Sequence, residues 1–446
     1  MVTSVNRALD QPYLEDFMVR NAFTAGIDFT QYFKNRLYYI DVKGMLSSLH
    51  GSAEAITALQ NSVAHYYQRA SSADYLGVDP TRRSLTGTGG YVKVGRKGNA
   101  KWNFSETFTW SSPGFDLNDM GYMKETDYLM NETEIMYRQT DIWKIFRYNA
   151  FTLSQKNMWN YGGTPFSNNA SLRWQSMTMN RYEWDVKETF AWNWLDSRLL
   201  RGGPDVRFGS YFLTSAKFNT DKAKRMMFML KYEGDHNFEG NRFNTISPSL
   251  TFRLGNHVYL SGQLDYAWNT DEMQYVATTS PLSSSSLTPY YYVMGHMDQK
   301  TYGLTLKLQV NVTPDISIQF YGAPVVRDAK YDDFKLAADT KSHTFENRFQ
   351  RIDPDHLTYV DGVYTIGEGA GQMPFRNPDF RFNEFRSNLV ARWEYLPGST
   401  LYFVWEHRMS NRDNWYSSGW GSNLDRMWGL PATNTFMIKM NYWFNL

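Results

Sequence analysis

The sequence predicts an all-β fold, a transmembrane antiparallel outer-membrane β-barrel with about eighteen strands. Three observations predict this class. Apolar and polar residues alternate along the chain, short turns alternate with long loops, and aromatic residues make up 17% of the 446 residues. Aromatic side chains suit both strands and the boundaries between water and membrane. No stretch approaches the roughly 20 consecutive apolar residues that a membrane helix requires, so any crossing would use strands.

The alternation is clearest in residues 301–322, TYGLTLKLQVNVTPDISIQFYG. From Tyr302 to Val312 every second residue is apolar, and the residues between them are small, polar or charged. A period of two is the signature of a strand. Residues 313–315 interrupt the pattern before it resumes, which predicts two antiparallel strands joined by a tight turn. The apolar face would point inward in a soluble sandwich and toward lipid in an outer-membrane barrel.

Similar apolar rows recur along the whole chain, and each row predicts one strand. In chain order, the clearest rows are Phe23, Ala25, Ile27 and Phe29; Tyr38, Ile40 and Val42; Trp102, Phe104, Phe108 and Trp110; Met226, Phe228, Leu230 and Tyr232; Ile246, Leu250, Phe252 and Leu254; Val258, Leu260, Leu264, Tyr266 and Trp268; Leu389, Ala391, Trp393 and Tyr395; Leu401, Phe403 and Trp405; and Phe436, Ile438 and Met440. The segment SAEAITALQNS, which begins at Ser52, predicts a short helix. Counting with alternating directions gives about seventeen strands from Ala22 onward and a remnant at Met1 to Asn6.

The connections between these rows alternate in length. Short turns are predicted near residues 31–34, 96–99, 179–182, 219–223, 254–257, 313–315 and 396–399, and long loops near residues 49–83, 111–125, 194–204, 270–297, 327–380 and 409–433. Outer-membrane barrels place short turns in the periplasm and long loops outside the cell. This asymmetry favours the membrane barrel over the soluble sandwich. We therefore expect a location in the outer membrane of a Gram-negative bacterium, with extracellular long loops and a periplasmic C-terminus.

The polar rows carry charges at mid-strand, which we expect to face a hydrated lumen. They would fit the solvent face of a soluble sheet equally well. The lumen-lining candidates are Glu384, Arg386, Asn388, Arg392, Glu394, Lys307 and Asp265. Rings of charged side chains tune the selectivity of channels, so these residues are the candidates for a solute path.

Two glutamates interrupt the apolar rows. Glu106 lies in the row of residues 102–110, and Glu188 lies in the row of residues 184–192. Both would face lipid near mid-strand, where a carboxylate costs energy. A β-bulge that reverses the register would resolve the conflict, and so would burial against a partner protein.

The last apolar row runs to the end of the chain, where Tyr442, Phe444 and Leu446 are candidates for the signal that the outer-membrane insertion machinery captures. Expected partners are this machinery, the lipid bilayer and lipopolysaccharide. Glycans and envelope proteins are further candidate partners. The 46 basic and 45 acidic residues leave almost no net charge, so no nucleic acid is expected.

Candidate chemistry is sparse. Cysteine is absent, which excludes disulfides, thiolate nucleophiles and cysteine-ligated metals. Eight histidines are scattered without an HExxH pattern, so neither a metal site nor a cofactor is expected. No GxSxG elbow marks a hydrolase, and no catalytic residue is assigned. One long loop carries acids that could hold calcium but lack EF-hand spacing, so a solvated loop is favoured; they are Asp328, Asp332, Asp333, Asp353 and Asp355.

Several stretches of the chain resemble a known family, and they are SVNRALD, NAFTAGIDFTQYFKNR, GSAEAITALQ, ADYLGVDPTRRSL, SPGFDLNDMGYM, RGGPDVR, MDQKTYGLTLKL and FNEFRSNLVARWEYLPGSTLYFVW. Together they resemble a Bacteroidota family of outer-membrane proteins of unknown function. In that family an N-terminal domain similar to family-nine carbohydrate-binding modules precedes a C-terminal barrel. The resemblance implies that residues 1–446 are the larger, C-terminal part of the barrel, and that the N-terminal domain and the first strands are missing.

Three hypotheses for function follow. The first is a conduit, or a component of envelope transport or surface assembly. The second is a membrane anchor or scaffold for a glycan-binding N-terminal domain and partner proteins. The third is a barrel-associated hydrolase, which is the weakest because the sequence offers no catalytic motif.

Overall fold

The computed structural model describes residues 1–69, 75–192, 194–255, 257–282, 290–414 and 420–444. Within these residues the chain is mainly antiparallel sheet, as the alternation predicts. The prediction of an all-β fold built on one large antiparallel sheet is confirmed.

The first half of the chain alternates long strands with short connections. Its elements are β1 (Val2–Asn6), α1 (Pro12–Phe17), β2 (Asn21–Phe33), β3 (Tyr38–His50), α2 (Ala53–Gln60), β4 (Ser84–Arg96), β5 (Trp102–Ser111), β6 (Tyr128–Gln139), β7 (Phe146–Trp159), β8 (Pro165–Thr178), β9 (Glu183–Trp192), β10 (Trp194–Asp196), β11 (Val206–Phe208) and β12 (Tyr211–Asn219). The predicted helix is confirmed as α2, which begins after Ser52, whose hydroxyl accepts a hydrogen bond from the Ala55 backbone nitrogen at 3.0 Å.

The second half contains the longest strands. Its elements are β13 (Met226–Asn237), β14 (Arg242–Leu254), β15 (Val258–Thr279), β16 (Tyr291–Asn311), β17 (Ile316–Ala337), β18 (Phe349–Arg351), β19 (Leu357–Val360), β20 (Val363–Ile366), β21 (Met373–Arg376), β22 (Phe380–Leu396), β23 (Ser399–Asp413), α3 (Trp420–Trp428) and β24 (Thr433–Asn441). No helix in the described part of the chain has the length and apolar character needed to span a membrane.

The principal strands form one antiparallel meander in which each strand pairs with the next. β9 pairs directly with β12 across the β10–β11 hairpin, and β17 pairs with β22 across the β19–β21 sheet. Among the described residues, the meander runs through β1–β9, β12–β17 and β22–β24, which is the predicted number of about eighteen. The hairpin of residues 301–322 is confirmed as β16 and β17.

The two faces of the sheet differ as the alternation requires. One face exposes apolar rows, in which Ile27 is 71% exposed, Leu264 57% and Trp393 49%. The opposite face carries the mid-strand charges and contacts the loops that fold over it. We call the first the outer face and the second the inner face.

Several strands extend further than the sequence pattern predicts. The predicted loop at residues 270–297 shrinks because β15 continues to Thr279 and β16 starts at Tyr291. The loop at residues 327–380 begins only after Ala337, where β17 ends. Register shifts occur between Asp271 and Gln274 where β15 pairs with β16, and between Met294 and His296 where β16 pairs with β17. Such bulges break the alternation while backbone pairing continues.

Glu106 and Glu188 lie on the outer face, and no bulge moves them inward. The pairing of β5 with β6 and of β9 with β12 proceeds without a register shift. Thr133 donates a hydrogen bond to Glu106 at 2.6 Å, and Thr214 donates one to Glu188 at 2.7 Å. Threonine hydroxyls on the neighbouring strands therefore satisfy part of the hydrogen-bonding capacity of each carboxylate.

The sheet has two free edges. β1 pairs with β2 only along residues 21–25, and β24 pairs only with β23 in the described part of the chain. The apolar side chains of β24 are largely exposed, with Ile438 at 73%. The described strands thus leave a seam between β1 and β24.

Candidate functional site

The predicted lumen residues lie on the inner face of the sheet. On β22 they occupy the rows opposite Trp393, while Lys307 and Asp265 lie on the inner rows of β16 and β15. The β22 residues in question are Glu384, Arg386, Asn388, Arg392 and Glu394. Their role in lining a solute path stays a prediction.

Ion pairs and hydrogen bonds hold these side chains against the wall. Arg386 Nη2 lies 2.8 Å from Glu384 Oε1, and Arg408 Nη2 lies 3.0 Å from the same oxygen. Arg392 pairs with Glu394 at 2.6 Å. The wall charges are thus compensated locally, which leaves a polar surface without a strong excess of either sign.

Further inner-face charges lie on strands outside the predicted set. Arg173 Nε on β8 donates to Asp185 Oδ1 on β9 at 2.7 Å, and Lys231 pairs with Glu233 on β13 at 2.7 Å. The sequence contained the signal, because these residues alternate with apolar rows as the predicted ones do. They were missed because the candidates came from the strands with the clearest alternation.

We call residues 51–83, between β3 and β4, the first loop. Its described residues, 51–69 and 75–83, fold onto the inner face at one end of the sheet. Ile56 of α2 and Tyr67 form a buried cluster with Leu49 and Leu85, which point inward from β3 and β4. Burial raises the pKa of Tyr67 to about 12. The described residues of the first loop therefore lie against the inner face of the sheet.

The loop of residues 112–127, the second loop, packs beside it on β4. A Cβ atom at Gly87 would lie 2.1 Å from the backbone nitrogen of Phe115, and one at Gly89 would lie 2.6 Å from Phe115 Cε1. Both glycines face inward, and because they lack side chains they leave the space in which Phe115 of the second loop packs against β4. The pair of glycines in TGTGG was the sequence signal for such a close approach.

Two buried polar contacts join the first and second loops. His65 Nε2 lies 2.9 Å from Asp116 Oδ2, and His65 Nδ1 lies 2.9 Å from the Pro113 carbonyl oxygen. With a hydrogen-bond partner at each ring nitrogen and only 2% of the residue exposed, His65 has no nitrogen available to act as a base on a substrate. The contact is a structural clamp.

The second contact centres on the buried carboxylate of Asp127. Arg69 Nη2 and the Tyr75 hydroxyl donate to Asp127 Oδ2, the latter at 2.6 Å, and the Tyr161 backbone nitrogen donates to Oδ1 at 3.1 Å. Burial and the neighbouring Asp127 carboxylate raise the pKa of the Tyr75 hydroxyl. Asp127 thus ties the first loop to the end of the second loop and, through Tyr161, to the turn between β7 and β8.

Other loops extend this structure across the opening. Arg69 Nη1 lies 3.4 Å from Ser197 Oγ of the third loop, residues 193–210. Arg348 of the fourth loop, residues 338–379, donates to the Arg207 carbonyl oxygen of the third loop at 2.8 Å and to both Glu239 carboxylate oxygens, at 2.8 and 3.0 Å. These four loops together form what we call the mouth cap, because they connect distant parts of the wall.

Two adjoining cavities lie on the inner face near the mouth cap. The first has a volume of about 450 Å³ and combines carboxylates with aromatic rings, among them Asp196, Asp235, Asp271, Trp194 and Tyr211. The second has a volume of about 650 Å³ and is lined by charges of both signs, among them Glu132, Lys156, Lys187 and Glu233. Both cavities share Leu213, Asp235 and Phe243, so they form one continuous hollow.

A family model described as a domain of unknown function, DUF5916, matches residues 51–446. The chain belongs to the DUF5916 family. No curated protein matches the DUF5916 chain.

Comparison with solved structures found two bacterial receptors at low similarity. The siderophore receptor PirA from Acinetobacter baumannii is 9% identical with a TM-score of 0.40, over 94% of this chain and 70% of its own. A mutant of the ferric enterobactin receptor PfeA from Pseudomonas aeruginosa is 8% identical with a TM-score of 0.42, over 94% of this chain and 69% of its own. The ligands of these receptors are properties of those proteins.

The acidic loop candidates of the DUF5916 chain do not converge. Asp328 is buried beneath α3, where Asn423 Nδ2 donates to it at 3.0 Å, and Asp333 pairs with Lys335 at 3.2 Å. Asp332 lies near Asp333 on β17, whereas Asp353 and Asp355 form a turn before β19. No group of three or more metal-ligating side chains occurs among the residues that the structure describes.

The insertion-signal candidates follow the last strand. β24 ends at Asn441, so Tyr442 and Phe444 lie just beyond it, both more than 60% exposed, and Leu446 lies outside the described residues. Their proposed capture by the insertion machinery stays a prediction.

Proposed function

We propose that this DUF5916 chain is the main part of an outer-membrane conduit for small hydrophilic solutes, with the mouth cap as its gate. The observation that most supports this proposal is the charged inner face, which continues beneath a mouth cap held by buried ion pairs. A conduit needs a hydrated path and a means of closing it, and these two features supply both. An anchor or a scaffold requires neither.

The character of the cavities favours solutes with many hydroxyl groups. The carboxylates of Asp196, Asp235 and Asp271 can accept hydrogen bonds, and the rings of Trp194 and Tyr211 offer flat apolar surfaces beside them. Convergent polar groups among aromatic side chains are the usual composition of a small-molecule site. Since opposite charges compensate each other on the wall, we expect weak discrimination by charge.

The same features support one orientation in the membrane. The long loops and the mouth cap lie at one end of the sheet, together with short turns at residues 160–164 and 238–241, whereas the opposite end carries short turns alone. We place the cap outside the cell and the end of β24 in the periplasm, in accord with the usual arrangement of outer-membrane barrels.

The free sheet edges support a larger barrel. Unpaired backbone groups cost several kcal/mol each in hydrocarbon, so an open edge such as that of β24 is not tolerated in a bilayer. We propose that further strands fill the seam between β1 and β24. In the Bacteroidota family that the sequence resembles, such strands and a glycan-binding module would lie ahead of this chain.

The test is single-channel conductance in planar bilayers of the wild type and of a variant in which a short Gly-Ser linker replaces residues 53–80. The variant lacks the first loop and should conduct more, and more steadily, than the wild type. Heat-modifiable gel mobility checks that both barrels are folded. A folded variant that conducts no better than the wild type would overturn the gating proposal. If neither protein conducts and a stable envelope complex is recovered, the anchor or scaffold hypothesis replaces it.

A further inference from the structure

A polar cavity lies at the loop end of β2 and β3, and we call it the rim pocket. It has a volume of about 230 Å³, and its lining residues include Glu15, Arg20, Asn21, His50 and Arg83. Asn21 and His50 pair with each other at the ends of the outer rows of the two strands. The rim pocket shares no lining residue with the hollow beneath the mouth cap. It is therefore a separate site beside the outer face.

The apolar band of the outer face ends at the rim pocket. The outer row of β2 is apolar from Phe23 to Phe33 except at Gln31. These ten residues of strand, tilted by about 40°, span a height of about 25 Å, which matches the apolar band of outer-membrane barrels. Toward the loop end the outer rows of four neighbouring strands become polar, with Ser4 and Asn6 on β1, Asn21 on β2, Ser48 and His50 on β3, and Ser84, Thr86 and Thr88 on β4. The rim pocket thus lies where lipid headgroups of the outer leaflet meet the wall.

The charges of the rim pocket favour an anion. Arg20 pairs with Glu15, so these two charges compensate each other. The Arg83 guanidinium lines the same pocket and has no ion-pair partner among the residues that the structure describes. His50 Nε2 lies 3.1 Å from Ser48 Oγ, and the imidazole adds a further polar group to the lining. The described side chains therefore leave one uncompensated positive charge at the pocket.

The size of the rim pocket favours one charged group over a whole solute. Sites for small molecules usually have volumes of about 300–1,000 Å³, and the rim pocket falls below that range. A guanidinium binds phosphate oxygens through paired hydrogen bonds, which makes arginine well suited to this group. The pocket therefore suits a phosphate whose parent molecule extends outside it.

The helix beside the rim pocket presents an aromatic face. Tyr13 and Phe17 are four residues apart on α1, which places them on one side of the helix, and both are largely exposed. Glu15 of the pocket lies between them in the sequence. Exposure of a phenyl ring to water is unfavourable, whereas aromatic side chains are enriched at membrane interfaces. This face favours a phosphate that belongs to a lipid over a phosphate free in water.

We propose that the rim pocket binds the phosphate headgroup of a lipid in the outer leaflet, with Arg83 as the main contact. Basic side chains at the ends of membrane-spanning segments recognise anionic headgroups in this way. The acyl chains then lie along the apolar row that starts at Phe23, directly below the pocket. The proposal requires the outer-membrane placement of the wall, but it goes beyond conduction and does not depend on an open lumen.

Native mass spectrometry of the protein purified from outer membranes in a mild detergent tests the proposal, with monophosphoryl lipid A as the probe. The wild type should bind one molecule of this lipid in preference to the same lipid without its phosphate. Arg83→Gln should weaken binding by about tenfold or more, because it removes a charged hydrogen-bond donor. Arg83→Lys should recover part of the affinity, since it keeps the charge. Arg351→Gln is the matched control and should bind as the wild type does, because Arg351 is an exposed arginine of the fourth loop outside the pocket.

Three results would overturn the lipid site. One is equal affinity of the wild type and Arg83→Gln for lipid A. Another is equal binding of the phosphate-free lipid, because apolar contact alone then accounts for the binding. The third is inorganic phosphate that binds as tightly as the lipid and displaces it, because the pocket then takes a free anion.

A cysteine at the middle of the apolar row of β2 separates failure of the site from failure of the membrane placement. Ile27→Cys in native outer membranes should resist a membrane-impermeant maleimide, because the Ile27 side chain lies on the outer face within the apolar band. Full labelling means that this row contacts water, and the placement and the lipid site then fail together. Protection of Ile27→Cys without discrimination between the two lipids overturns the lipid site alone.

Discussion

Replacing Asp127 with asparagine should release the first loop from the wall. The carboxylate is fully buried and pairs with Arg69, whose side chain is 8% exposed. Asparagine keeps the acceptor for the Tyr161 backbone nitrogen and tolerates the left-handed backbone at this position, where φ is +61°. The substitution therefore removes the charge and replaces the oxygen that accepts from Arg69 and Tyr75 by an amide nitrogen, which cannot accept their hydrogen bonds.

The expected magnitude follows from the burial of the pair. Removing one partner of a buried ion pair costs about 3–5 kcal/mol, because the remaining charge stays desolvated. At 1.4 kcal/mol per factor of ten, the ratio of docked to undocked loop should fall by about 140- to 4,000-fold. Loops open at free energies well below that of global unfolding, so the barrel should stay folded.

Limited proteolysis of reconstituted protein measures the undocking, and planar-bilayer conductance measures its consequence. Asp127→Asn should be cleaved faster within residues 51–83 and should conduct more than the wild type. Asp141→Asn is the control, because its pair with Lys101 is exposed and is worth at most about 1 kcal/mol. Unchanged cleavage would refute the buried-pair reasoning, and faster cleavage without higher conductance would refute gating by this loop.

Two further substitutions test the rest of the mouth cap. Gly89→Val should displace Phe115, at a cost of about 1–3 kcal/mol, and should therefore speed proteolytic cleavage within residues 112–127. Gly262→Val is the control and should leave this cleavage unchanged, because a Cβ atom at Gly262 would lie 3.6 Å from its nearest neighbour. Arg348→Ala should cost about 3–5 kcal/mol, because it leaves the largely buried Glu239 carboxylate without its ion-pair partner. Backbone amides of the fourth loop should then exchange hydrogen faster than in the wild type. Equal exchange in the variant and the wild type would contradict the role of the Arg348–Glu239 pair in holding this loop.

The strands were predictable because period-two alternation depends only on local sequence. The hairpin of β16 and β17 appears at the expected residues, and the outer rows of β2, β3 and β15 match the predicted apolar rows. Prediction failed where bulges interrupt the alternation, as between Asp271 and Gln274, so the upper ends of the long strands were assigned to loops.

The mouth cap could not be predicted because its contacts join residues far apart in sequence. Arg69 and Asp127 are 58 positions apart, and Arg348 and Glu239 are 109 positions apart. Nothing in the local pattern around either arginine distinguishes it from a solvated loop residue. The packing of the second loop against Gly87 and Gly89 is an exception that the sequence does indicate, because glycines within a strand often mark the close approach of another segment of backbone.

The central claim is that apolar rows face lipid and charged rows face water, and single-cysteine labelling along β16 tests it most directly. The cysteine-free chain gives a clean background for cysteines placed one at a time at residues 304–307. In native outer membranes, a water-soluble maleimide should label positions 305 and 307 and spare 304 and 306. Labelling of 304 and 306 with protection of 305 and 307 would mean that the apolar rows lie in contact with water, and the membrane-barrel account would be wrong.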